Sequence, residues 1–278
     1  MQSDIFIAHA FIANGKGGNP AGVVLDAEGL QPADMLAVAQ KVGMPETAFV
    51  SASNAADYKI CFFTPTGEVD LCGHATIAAW SLLHQRGISK GTYTQQTRAG
   101  ALRVKIEEDG LIWMEQAVSH LFEEVNKSEI ISSLNINPDQ FHERLSPQVV
   151  STGLRGMLVP LKGKEVLNVL QPNIKEIMKL SRKYGVTGLH VFALLDGGPL
   201  AAARNLSPLV GIPEEAASGT ANGALLAYLR EHDALAERSE YRIEQGEIMG
   251  NLSYIYGKFE NGTVWIGGYT SSGIAFSD

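Results

Sequence analysis

The chain has 278 residues, with 22 Lys and Arg against 30 Asp and Glu, for a formal net charge of −8. It is 45% hydrophobic, enough to bury a substantial core in one large domain or two modest ones. The acidic balance argues against nucleic acid, which needs a clustered Lys/Arg face, and no apolar run approaches the roughly 18–20 residues that span a bilayer.

Along the chain, the first residues carry Asp4 early, with no basic n-region and no A-x-A cleavage site, so a cytoplasmic protein without a signal peptide is expected. Residues 4–11, 21–25 and 47–50 read as short strands around a helix near 32–42, with Pro32 in its first turn. Between the first two strands, Gly15, Gly17, Gly18 and Gly22 lack the dinucleotide-binding spacing, because Pro20 sits where the third glycine belongs. Residues 58–63 are a β-branched and aromatic strand run. Residues 73–86 predict a helix that is apolar nearly all round and therefore buried. Gly87-Ile88-Ser89-Lys90-Gly91 matches the serine-hydrolase pentapeptide, but a helix precedes it and a strand follows, the reverse of the order that exposes the serine. Residues 97–106 and 111–115 read as a hairpin across Glu108-Asp109-Gly110. Residues 119–147 read as a polar, irregular crossover. A second buried helix is expected over 219–230, and a hairpin across Asn261-Gly262. Cys61 and Cys72 support neither a disulfide framework nor a thiolate metal site, and the histidines never reach metal-ligand spacing, so no metal is expected.

Four blocks recur in order at nearly the same offset. Phe63-Thr64-Pro65 and Cys72-Gly73-His74-Ala75 correspond to Leu206-Ser207-Pro208 and Ser218-Gly219-Thr220-Ala221. Upstream, Ala39-Gln40-Lys41-Val42-Gly43 echoes Ser181-Arg182-Lys183-Tyr184-Gly185. Downstream, the stretch from Gly100 to Trp113 echoes that from Gly250 to Trp265. Any two α/β halves share turns and helices, but that does not explain their order. The reading is two similar halves, 1–118 with 264–278, and 119–263.

A buried apolar helix cannot satisfy its first N–H groups with water, so each such start must meet a cap, a partner or a ligand. Cys72 and Ser218 stand at the two equivalent starts, as ordinary N-caps or as the rim of a carboxylate site. Glu46 has no second carboxylate at its repeat position, which falls on Gly188 or Leu189. Between Pro45 and Ala48-Phe49-Val50, Glu46 is either a solvated loop residue or a partly desolvated base, raised toward a useful range.

Asn19-Pro20-Ala21-Gly22-Val23, Glu46-Thr47-Ala48-Phe49, the Cys72-Gly73-His74-Ala75-Thr76 block, Ser218-Gly219-Thr220-Ala221 and Gln245-Gly246-Glu247-Ile248-Met249-Gly250 together resemble the signature blocks of the PhzF-like (phenazine biosynthesis) isomerase family. The resemblance runs from about Asp4 to Gly268. It implies an α+β diaminopimelate epimerase fold, in which two pseudo-symmetric halves each curl a mixed sheet around a central helix. It also implies cofactor-independent proton transfer in a cleft between halves, a small carboxylate substrate, a biosynthetic role and a homodimer. By the same resemblance Glu46 matches the general acid/base, His74 the active-site histidine, and Glu215 the position of a catalytic-site aspartate. Asn19, Gly73, Ser218, Gly219 and Thr220 are the implied substrate-binding residues. The chain departs from the pattern at Glu214-Glu215-Ala216, where Glu-Asp-Pro is usual, and at Asn251, where an arginine often follows Met-Gly. Two other readings stay open. One is an epimerase or racemase using opposed thiols, for which Cys72 supplies half the machinery and Ser218 the wrong partner. The other is a non-catalytic binding protein for small acids.

Overall fold

The computed structural model describes residues 4–276, which fall into two compact units. One comprises residues 4–115 with 267–276, the other residues 116–266. The first holds β1 (Ile5–Ala10), β2 (Asn19–Val24), α1 (Pro32–Val42), β3 (Thr47–Ser51), β4 (Tyr58–Thr64), β5 (Gly67–Val69), α2 (Gly73–Gln85), β6 (Gly91–Thr97), β7 (Gly100–Ile106) and β8 (Ile112–Glu115). The second holds β9 (His120–Glu124), α3 (Lys127–Leu134), β10 (Gln148–Ser151), β11 (Arg155–Leu161), α4 (Lys164–Val169), α5 (Ile174–Tyr184), β12 (Leu189–Leu194), β13 (Ala201–Ser207), β14 (Ile212–Glu215), α6 (Gly219–Glu231), β15 (Tyr241–Gln245) and β16 (Ser253–Glu260). After β17 (Thr263–Gly268) the chain returns to the first unit with β18 (Ile274–Ala275).

The strand pairings of the two units repeat. In the first, β1 to β2 is antiparallel, β2 to β3 parallel, β3 to β4 antiparallel, β4 to β6 parallel and β6 to β7 antiparallel. In the second, β10 to β11, β11 to β12, β12 to β13, β13 to β15 and β15 to β16 follow the same alternation. Each unit is thus a mixed sheet with helices, an α+β architecture.

A central helix packs on each sheet. α2 lies against β1, β2, β3, β7 and β8, and every residue from His74 to Leu83 is buried, as an all-round apolar sequence requires. Burial of Ile77 and Leu82 contributes about 2 kcal/mol each. Trp80 is fully buried, its indole N–H donating to Gln95 Oε1 at 2.7 Å, so its single polar atom is satisfied. α6 packs on β10, β11 and β16, with Leu225, Leu226, Tyr228 and Leu229 fully buried. The other long helices carry legible punctuation. α1 opens on a Gln31/Asp34 capping box with Pro32 and ends on left-handed Gly43, while Asn173 caps α5, which ends on left-handed Gly185. Asn261 and Gly262 both adopt left-handed φ between β16 and β17, the demand of a two-residue hairpin turn.

Two expectations need correction. Residues 119–147 are no irregular crossover. They carry β9 and α3, and Val125, Ile130, Leu134, Ile136 and Phe141 join the hydrophobic core of the second unit. Lys127, Ser128, Glu129 and Ser132, with a serine (Ser133) even on the buried face, hide the apolar spacing of α3. The strand expected over 97–106 is β7, paired with β8 as a hairpin, but it begins at Gly100, whose φ of 113° turns the chain, and Thr97 ends the preceding β6. Among the described residues no helix is long and apolar enough to cross a membrane.

Candidate active site

In the first unit, β2 and β3 run parallel, so their N-terminal ends lie on the same side, and Gly22 N–H donates to the Glu46 carbonyl at 2.9 Å. The pair is close because residue 22 has no side chain: a Cβ there would stand 2.6 Å from Thr47 Oγ1. Asn19 opens β2, Glu46 directly precedes β3, and the start of α2 brings Cys72 and His74 to them. Glu46 Oε2 lies 3.2 Å from His74 Nε2, an ion-pair contact not aligned as a hydrogen bond, and the Glu46 side chain keeps 14% exposure. His74 Nδ1 lies 3.3 Å from the Asn19 amide nitrogen and 3.4 Å from Cys72 Sγ.

Electrostatics divides these groups. Burial works against a charged His74, but the Cys72 sulfur and the Glu46 carboxylate outweigh it, and the ring is held well above the usual histidine value. Cys72 moves the other way: burial pushes its thiol up, so it stays protonated at neutral pH. Cys72 is a buried, small side chain, yet its sulfur touches a catalytic candidate instead of apolar neighbours alone. Glu46, Cys72 and His74 offer ligand atoms all within 4.8 Å of one another, a convergence that no spacing rule registers because Glu46 comes from a separate strand.

The second unit builds a different set around the start of α6. Ser218 and Cys72 both sit in extended backbone at the N-cap position with no side-chain cap, so neither is an ordinary capping residue. The Ser218 N–H donates to Gln245 Oε1 at 3.3 Å, which also accepts from Asn222 Nδ2 at 2.7 Å. Gln245 Nε2 donates to the Glu215 carbonyl, and Asn205 Nδ2 donates to Glu215 Oε2 at 2.9 Å. His190 joins the two asparagines. Its Nδ1 lies 3.3 Å from Asn205 Oδ1 and its Nε2 3.1 Å from Asn222 Oδ1, and burial lowers the ring to about 4. A neutral ring has one proton for these two oxygens. The Thr220 carbonyl accepts from Thr152 Oγ1, and Gly219 is buried.

Asn19, Glu46, Gly73 and His74 therefore gather in the first unit, and Glu215, Ser218, Gly219 and Thr220 in the second. Sequence reasoning did not find His190, Asn205, Asn222 and Gln245 as a connected set, because they lie on β12, β13, α6 and β15. The repeat position of Glu46 resolves to Gly188, since Met157 N–H donates to the Gly188 carbonyl as Gly22 does to that of Glu46. No side chain fits there: a Cβ on Gly188 would stand 2.1 Å from the Leu206 carbonyl oxygen.

A family model described as phenazine biosynthesis-like protein matches residues 8–269. The chain belongs to the phenazine biosynthesis-like (PhzF) family. It is an enzyme of the isomerase class. The "Uncharacterized isomerase YfhB" of Bacillus subtilis is 35% identical over 259 residues, covering 90% of this chain and 88% of the relative. The "Uncharacterized isomerase YddE" of Escherichia coli K12 is 34% identical over 242 residues, covering 84% and 82%. Among solved structures, the Bacillus anthracis phenazine biosynthesis protein of the PhzF family superposes with a TM-score of 0.87 at 28% identity, over 100% of both chains. A hydroxyproline epimerase from Agrobacterium vitis shares the fold at a TM-score of 0.62 and 13% identity, covering 99% of this chain and 93% of the epimerase.

Proposed function

We propose that the protein moves a proton at carbon on a small carboxylate substrate, with Glu46 as a single shuttling base. The observation that carries this reading is the Glu46–His74 contact of 3.2 Å, set at the uncapped start of a buried helix and without a counterpart at Gly188. Taking a proton from carbon requires a base close to the carbon and a way to hold the resulting charge. Glu46 supplies the base. The charged His74 ring and the positive dipole end of α2 supply fixed positive charge where an enolate or carboxylate oxygen would develop charge. Both needs are met by side chains and backbone, so the step calls for no cofactor. Glu215, Ser218, Gly219 and Thr220 are the substrate-orienting groups of the second unit in this reading, and Asn19 orients His74.

The opposed-thiol alternative is less well supported, because Cys72 is held as a neutral thiol by burial and Ser218 stands at its repeat position. The test begins with the small acids released from purified protein and identified by mass spectrometry. Each is then incubated with enzyme in heavy water. Deuterium entering a carbon position at a rate that Glu46→Gln abolishes is the expected result. Binding without deuterium entry would leave a binding protein, and exchange unaffected by Glu46→Gln would remove Glu46 from the mechanism.

A further inference from the structure

We propose that Asn205 and His190 are positioning residues that set the charge of Glu215: when its carboxylate takes a proton from water, the Asn205 amide turns over. Glu215 then stands uncharged toward a carboxylate substrate. That last role rests on the function proposed above, whereas the switch stands on the geometry of the second unit. Backbone groups fix the direction of each amide. The Glu215 carbonyl can only accept, so Gln245 Nε2 faces it, at 2.7 Å. Gln245 Oε1 then accepts from the Ser218 N–H at 3.3 Å and from Asn222 Nδ2 at 2.7 Å. Asn222 Nδ2 also donates to the Ser218 carbonyl at 2.8 Å, which leaves Asn222 Oδ1 for His190 Nε2 at 3.1 Å and makes that nitrogen the ring's donor. His190 is buried among uncharged partners and lowered to about 4, so its Nδ1 carries a lone pair. That lone pair lies 3.3 Å from Asn205 Oδ1. Two acceptors face each other for as long as Asn205 Nδ2 serves the ionised Glu215.

One proton removes the mismatch. With O–H at Glu215 Oε2, an Asn205 amide turned by half a turn accepts from it through Oδ1 and donates Nδ2 to His190 Nδ1. The amide oxygen and nitrogen exchange places, so no contact has to lengthen. The Ser207 hydroxyl, 3.5 Å from the amide nitrogen, accepts in one state and donates in the other. Glu215 gains one proton from water and His190 stays neutral. Asn205, His190, Asn222 and Gln245 are all buried, so water does not relieve the mismatch, while the half-buried Glu215 reaches solvent. Arg204 on β13, Glu214 on β14, and Arg242 and Glu244 on β15 stand at the alternate positions of their strands and face away from the ring. His190 is the sole titratable residue of β12, and residues 208–210 and the first turn of α6 carry no charge.

The test follows the full-length protein by NMR, with carbon-13 in glutamate carboxyls and nitrogen-15 in histidine rings. The signals missing from Glu215→Gln and His190→Leu identify the two residues. In wild type, Glu215 is expected to titrate above the ordinary glutamate value of about 4.3. At that same midpoint His190 should settle as the Nε2–H tautomer without gaining a proton. His190→Leu removes the acceptor that demands the turned amide, and the proton affinity of Glu215 should fall at least about tenfold. An ordinary Glu215 midpoint in wild type, a His190 signal unmoved there, or a His190 that becomes charged there would overturn the switch, and these need no substitution that must fold. Concentrated acetate, the simplest carboxylate probe, should raise the Glu215 midpoint against chloride of equal ionic strength. An unmoved midpoint would overturn the substrate role alone. Failure of the proton-transfer reading shows separately, as heavy-water exchange that persists in Glu46→Gln.

Discussion

Glu46 and His74 meet at 3.2 Å, and each carries its own test. Glu46→Gln preserves shape and removes the basic oxygen, so turnover is expected to fall at least about 10²-fold, the usual scale of a lost general base, measured as deuterium exchange. Cys72→Ser should cost less than that. A loss as large as that of Glu46→Gln would favour the thiol epimerase. His74 is held charged, so its folded value lies above the usual value of about 6.5. Its contribution to stability is full below that usual value and is lost as pH rises through the folded one. Denaturant midpoints across a pH series should therefore decline on the basic side in wild type and decline less in His74→Asn. Composition says nothing of this pairing. Glu46 and His74 belong to different elements, so their proximity is legible in the sequence only through the family resemblance, while the asymmetry at Gly188 is legible from the repeat itself.

At the level of elements, helices read well where caps mark the ends, as in α1, or where the sequence is apolar nearly all round, as in α2 and α6, and poorly where a short amphipathic stretch is masked by polar residues, as in α3. Adjacent residues of β13 hold adjacent carboxylates of β14. Arg204 clamps Glu214 through two bonds of 2.8 Å and also donates to the Leu167 and Leu170 carbonyls, while Asn205 holds Glu215. Arg204 is buried and its partner largely so, at 7% and 19% side-chain exposure. Arg204→Leu would leave a largely buried carboxylate unpaired and is expected to cost about 3 kcal/mol, more than the double change Arg204→Leu with Glu214→Leu. Chemical denaturation of the three variants checks the order, and a double variant no more stable than the single would contradict it. In the first unit, Gly22→Ala would drive a methyl into Thr47 and part β2 from β3. A loss of about 1–3 kcal/mol is expected, together with weakened exchange activity through displaced Glu46.

Across the whole molecule, the repeat in sequence is matched by a repeat in strand pairing, yet the two units spend their buried polar groups differently. The first concentrates its polar groups at Glu46 and His74. The second sinks an uncharged His190 between two asparagines, with its ring lowered to about 4 from 6.5. The unfolded chain takes up a proton below about 6.5 and the folded ring does not, so stability falls as pH drops through that window. The full shift corresponds to about 3 kcal/mol, and His190→Gln should make the acid limb shallower by a measurable part of it. Equal acid limbs in the two proteins would show that the ring titrates freely. That network is the least legible part of the site, because four residues on four elements form no motif. Gly188 carries a stereochemical consequence. The Leu206 carbonyl closes the place where the repeat would put a counterpart of Glu46. If Glu46 is the single shuttling base proposed above, it would deliver the proton to the same face from which it took it. Substrate deuterated at the reacting carbon should then pass part of its own label to the product even in ordinary water, and the product should keep one handedness.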